Sequence, residues 1–206
     1  MDINELMEVF LESTKQIQPD DLAYLFATGK SELEIRNQLA LHLHASRHPQ
    51  QVIAREWKRH DLTILEAGIP KLIIEGKSWT HFDATSNTKL NFGDKSILSG
   101  MLRDIKKLKA TQDHYPEMQG FISVLLFTVD VTQLNKKALD HAQVTYAYGH
   151  GSGARKFGSA LESAIQGINN LTELLAQYGE VKTAPLAVGN FLEMPVKVDL
   201  FLMRPY

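Results

Sequence analysis

The chain has 206 residues, enough for one domain with a substantial buried core, and 44% apolar with 22% charged residues is ordinary for a globular protein. It has no cysteine, which excludes disulfides, zinc–thiolate centres and cysteine nucleophiles. A formal net charge of −2 excludes wholesale electrostatic attraction to nucleic acid, although cations gather locally: Arg55, Lys58 and Arg59; Arg103, Lys106, Lys107 and Lys109; Arg155 and Lys156. No apolar run reaches the roughly 18 to 20 residues of a membrane helix. The acidic, amphipathic start MDINELMEVFLES is unlike a signal peptide. The expectation is a soluble, cytoplasmic protein with no membrane partner.

Residues 2–15 carry Ile3, Leu6, Met7, Phe10 and Leu11 at helical spacing, which predicts an amphipathic helix. Pro19-Asp20-Asp21 opens a second, short helix ending near Gly29. Ser31 is placed as the N-cap of a helix over 32–46, closed by His48-Pro49, with Ile35, Leu39 and Leu43 as its buried stripe. A strand is predicted at 51–57, and β-rich runs at 61–65 and 71–75 flank a hairpin loop at 66–70. Residues 78–94 are polar and aperiodic and read as a loop. A helix at about 95–110 turns Ile97, Leu98, Met101, Leu102, Ile105 and Leu108 inward. The apolar run GFISVLLFTV at 120–129 suits a central strand covered on both faces. A short strand at 143–148, a helix at about 155–178 and strands near 184–191 and 196–203 complete the order. The whole describes a single α/β domain over 1–206, a mixed central sheet with helices on both faces.

The segment REWKRHDLTILEAGIPKLIIEGK at 55–77 carries the strongest chemical signal. With the turn centred on Gly68, Asp61 falls opposite Glu75 in an antiparallel ladder. Side chains alternate with a period of two, so Asp61, Thr63, Ile73, Glu75 and Lys77 are expected on one face and Leu62, Ile64, Leu72 and Ile74 on the other. A slip of one residue would undo this grouping. Two adjacent carboxylates repel unless a cation lies between them, and a hard dication such as Mg²⁺ accepts oxygen ligands while keeping several waters. Lys77 beside them would hold a metal-bound water and stabilise charge on a phosphate, the parts of a phosphodiester hydrolysis site. The other reading is an ion pair at a strand end with no catalysis.

Asp61, then thirteen residues, then Glu75-Gly76-Lys77 resembles the PD-(D/E)xK, or restriction-endonuclease-like, nuclease superfamily. The similarity takes in the preceding helix and the following Asp104-Ile105-Lys106-Lys107-Leu108 helix with its apolar strand, roughly residues 31–130. The resemblance implies a Mg²⁺-dependent nuclease, with Mn²⁺ as substitute and DNA as the expected substrate. It implies Asp61 and Glu75 as metal ligands, the Gly76 carbonyl as a further ligand, and Lys77 as the group that positions water. An acid on the helix before the hairpin is assigned to Glu32, which shares a face with Ile35, Arg36 and Leu39; Glu34 lies on the opposite side. His60 stands where the family pattern has proline, and Gly76 is unusual inside a strand.

Lys106, Arg155 and Lys156 are candidate phosphate contacts, the last two in the glycine-rich stretch YGHGSGARK at 148–156, whose backbone N–H groups suit an anion. A flexible connection is the other reading of that stretch. His44 and His48 are four apart, yet no His-Glu-x-x-His pattern exists, so they read as surface residues. Trp79, His81 and Phe82 would either stack on a base or cover the hairpin. A homodimer would place two sites across a duplex. The alternative function is a catalytically silent nucleic-acid- or protein-binding module of the same fold.

Overall fold

The computed structural model describes residues 1–28, 31–80, 97–129, 160–191 and 194–206. Along them lie helices α1 (Ile3–Thr14), α2 (Pro19–Thr28) and α3 (Ser31–Ser46), then strands β1 (Gln51–Trp57), β2 (His60–Glu66) and β3 (Ile69–Thr80). Helix α4 (Ile97–His114), strand β4 (Gln119–Val129), helix α5 (Ala160–Ala176) and strands β5 (Gly179–Phe191) and β6 (Met194–Pro205) follow. The strands form one six-stranded sheet in the order β1-β2-β3-β4-β6-β5. Every neighbouring pair is antiparallel except β3 and β4, and parallel neighbours require a crossover, which α4 supplies. Among the described residues no helix is long and apolar enough to cross a membrane.

Strand alternation divides the core into two layers. Leu62, Ile64, Leu72, Ile74, Phe121, Leu125, Val198 and Leu200 face one way and pack against α1, α2 and α3. Ile73, Ile122, Val124, Leu126, Phe201 and Met203 face the other way, against Met101, Ile105 and Leu108 of α4 and Leu171 and Leu175 of α5. Burial on both faces explains the unbroken apolar run of β4. The expected mixed sheet with helices on each side is therefore present. Trp79 extends β3 and is 3% exposed within the second layer, so it neither lies in a loop nor offers its ring to a base.

Helix α1 begins with a capping box: the Asp2 carboxylate accepts the Asn4 and Glu5 amides, and Glu5 returns the bond to the Asp2 amide. Ser31, expected as a cap, lies inside the first turn of α3 with its hydroxyl 3.4 Å from that of Ser78. The β2–β3 hairpin closes through Ala67-Gly68 alone, at φ 51° and 79°, not through a five-residue loop. Positive φ at both central residues is the tight turn that matches strand twist. The β1–β2 hairpin closes the same way through Lys58-Arg59, at φ 49° and 70°, and Glu56 just before it has φ 58°. Each such non-glycine residue costs about 1 to 2 kcal/mol. At Gly189 a Cβ would lie 2.1 Å from the Pro19 carbonyl oxygen, so only glycine lets α2 seat on β5. The Asn190 amide donates to the Asp20 carboxylate at 2.8 Å across the same contact. The strand expected at 143–148 and the stretch 148–156 lie outside the described residues.

Candidate functional site

Strand register is as the sequence implies: Leu62 pairs with Ile74 and Thr63 with Ile73, which carries Asp61 towards Glu75. The recorded ladder stops at Leu62, however. The corner from Glu56 to Arg59, with three positive φ values, turns the start of β2 away from regular pleating. His60 takes the place opposite Glu75 that the alternation gave to Asp61. Asp61 instead folds onto β3, where its Oδ2 accepts the Gly76 amide at 2.8 Å.

The expected shared face of Asp61, Glu75 and Lys77 is thereby corrected. Asp61 belongs to the α3 side. It lines a small cavity of about 20 Å³ with Glu32, Arg36, Gly76, Ser123 and apolar side chains of α1, α3 and the sheet. Arg36 of α3 stands 3.5 Å from Asp61 and also pairs with Glu56. Glu32 is half-buried at the start of α3 and reaches this cavity, on the side predicted for it. Glu34 lies on the other side of α3, where it accepts from Gln38. A Cβ on Gly76 would make only ordinary contacts with Asp61 and Ser123, so no steric demand explains this glycine.

Glu75 and Lys77 point to the α4 side. Glu75 is 1% exposed. Its Oε1 lies 2.5 Å from His60 Nδ1 and 2.7 Å from the Lys107 ammonium. His60 Nε2 meets the Thr111 hydroxyl at 3.0 Å, which anchors the ring to α4. Lys77 pairs with Asp104 at 2.5 Å and donates to the Gly76 carbonyl at 3.0 Å. Lys107 completes its set with the Arg59 carbonyl at 2.7 Å and Asp104 at 3.9 Å. Two carboxylates and two ammonium groups thus balance within one network, and Lys107 supplies the cation that the neighbouring acids demand.

A Mg²⁺ ion requires converging oxygens and room for its waters. Asp61 and Glu75 lie on opposite faces, the cavity beside Asp61 holds about one water, and Glu75 already has a lysine as counter-ion. The hard-oxygen donors suit such an ion chemically, but as arranged they do not fit it. Among the described residues no group of three His, Asp or Glu side chains is placed to hold a metal.

No family model, curated protein or solved structure matches this chain.

Of the remaining predicted residues, Lys106 is exposed on α4, and Arg155 and Lys156 lie outside the described residues, as do His81 and Phe82. His44 borders a groove between α3 and β1, and His48 Nδ1 accepts the Gln50 amide, so neither histidine gathers metal donors. Sequence reasoning missed His60, Asp104, Lys107 and Arg36. For Asp104 a signal existed: it interrupts the inward stripe of Met101, Ile105 and Leu108, and a charge at such a position needs a partner. Lys107, one helical step further, shares that side. His60 carried no signal beyond standing beside Asp61.

Proposed function

We propose that this chain is a nuclease of the restriction-endonuclease-like kind, hydrolysing phosphodiester bonds in nucleic acid, with DNA as the substrate. The observation that carries this reading is the hydrogen bond from the Gly76 amide to Asp61 at 2.8 Å. It brings an acid from one strand against the acid–x–lysine segment of the next, at the open end of the β2–β3 hairpin. The surroundings support it: α3, three antiparallel strands, a crossover helix and a fourth strand parallel to the third follow in the order implied by the resemblance. Glu32 beside Asp61 adds the acid expected from the preceding helix. Mg²⁺, with Mn²⁺ as substitute, belongs to this reading. The present arrangement does not fit such an ion. What the chain's own groups offer is Lys77, paired with Asp104, and Lys107, paired with Glu75, each of which would meet the negative charge on a phosphate only by exchanging its carboxylate partner.

One observation favours a second reading, a catalytically silent binding module of the same fold: Glu75 is sealed, paired with the Lys107 ammonium and in hydrogen-bond contact with His60. Incubation with plasmid, linear and single-stranded DNA plus Mg²⁺ or Mn²⁺ tests the choice, alongside calorimetric titration of each ion into the protein. Cleavage and metal binding that both disappear in Asp61→Asn and Glu75→Gln support the nuclease. Metal affinity unaltered by Glu75→Gln, with no cleavage by the native chain, supports the silent module.

A further inference from the structure

Lys58 and Arg59 occupy a turn whose two central residues both need positive φ, the pair of positions that Asn-Gly fills most comfortably. Long, branched-chain-free cations have no conformational reason to be there. Backbone strain of this kind gathers where function holds it in place. The turn is also held from outside: the Lys107 ammonium donates to the Arg59 carbonyl at 2.7 Å, and the Lys58 ammonium, 4.7 Å from the centre of its neighbour Trp57's ring, lies 5.8 Å from that of Tyr115.

Lys58, Arg59, Arg103 and Lys106 are all exposed, and among the described residues none of them has a carboxylate as ion-pair partner. Arg103 stands one helical turn before Lys107, so the basic surface continues from the turn along α4. The acids close by are already matched: Glu56 by Arg36, Asp104 by Lys77, Glu75 by Lys107. A chain of net charge −2 therefore presents unmatched positive charge at the β1–β2 turn and on α4, joined where Lys107 links the Arg59 carbonyl to Glu75.

We infer that the Lys58-Arg59 turn, with Arg103 and Lys106, is a docking surface for the phosphate backbone of nucleic acid. The choice of nucleic acid over another polyanion rests on the nuclease reading above; the surface itself rests on strain and charge. Its contribution is sequence-independent and weakens with salt, because each neutralised phosphate releases a counterion.

The test compares the native chain with the double variant Lys58→Asn/Arg59→Gly, using a fluorescein-labelled DNA duplex, anisotropy, and a series of salt concentrations. The variant places the favoured turn residues, so it folds with a melting temperature about 2 to 4 °C higher. Duplex affinity falls on the order of tenfold, and the slope of log K against log salt shrinks by about two. Unchanged affinity and slope would overturn the inference. So would a native chain that binds no duplex at low salt, or one from which polyglutamate displaces DNA as well as unlabelled duplex does. A native chain that binds duplex through the turn yet never cleaves it defeats the nuclease reading and supports the docking surface.

Discussion

Replacing Lys107 by methionine isolates the interaction that decides how Glu75 is used. At 2.7 Å the Lys107–Glu75 attraction is about 6 kcal/mol at an effective dielectric constant of 20, before the cost of desolvating both groups. Removing one partner of a buried pair strands the other, which costs about 3 to 5 kcal/mol. Lys107 is partly exposed, 29% for its side chain, and His60 still contacts Glu75, so the lower end applies. We expect Lys107→Met to lose about 3 kcal/mol in urea denaturation at neutral pH. Glu75→Gln removes the charge and keeps the shape. In the double variant the stranded carboxylate is absent, and the combined loss falls short of the sum of the single losses by more than 1 kcal/mol. Additive losses would show that Lys107 is not the counter-ion of Glu75. A Lys107→Met loss below about 0.5 kcal/mol would place the pair among solvent-screened surface contacts and refute the reasoning outright.

Gly189→Ala drives a Cβ into the Pro19 carbonyl and strains the Asp20–Asn190 contact, so α2 must shift; a loss of about 3 kcal/mol is expected from the urea midpoint. Asp199 is half-buried on β6 between Leu126 and Pro185, and burial raises its carboxyl above the ordinary 3.8, with Lys197 partly opposing the shift. The folded chain therefore holds this proton more tightly than the unfolded chain. That contribution is full below the unfolded value and is lost as pH rises through the folded one. Asp199→Asn should accordingly raise the melting temperature relative to the native chain at pH 7 and leave it nearly unchanged at pH 3; an equal effect at both would contradict the sign.

The sheet was legible because its signals are local and repeated. Period-two alternation in 61–65 and 71–75, and the unbroken apolar run of β4, each fixed an element and the faces it buries. The register of Leu62 against Ile74 agrees with a turn centred on Gly68 only because an irregularity between Ile64 and Leu65 shifts the ladder by one residue; the actual Ala67-Gly68 turn pairs Glu66 with Ile69. What failed was the extension of that alternation one residue past the last ladder pair, to Asp61 opposite Glu75. Nothing in Glu56, Lys58 or Arg59 marks a positive φ, since these residue types rarely adopt it. The corner they form was invisible, and with it the exchange of places between His60 and Asp61. The contacts around Glu75 were hidden for a different reason: Lys107, which pairs with Glu75, and Thr111, which holds His60, come from a helix beyond the hairpin, and no short-range pattern links them to it.

The neighbours of β4 have a consequence for how the chain assembles. On one side Leu72 meets Gln119, and on the other Ile122 meets Met203, so both seams of the most apolar strand join segments far apart in sequence. Such distant pairings form slowly, because a long loop must close before any bond rewards it. Until residues 194–205 arrive, β4 keeps a bare, hydrophobic flank open to other chains. Shortening the chain from its carboxyl end should therefore yield aggregates long before it erodes the outer helices.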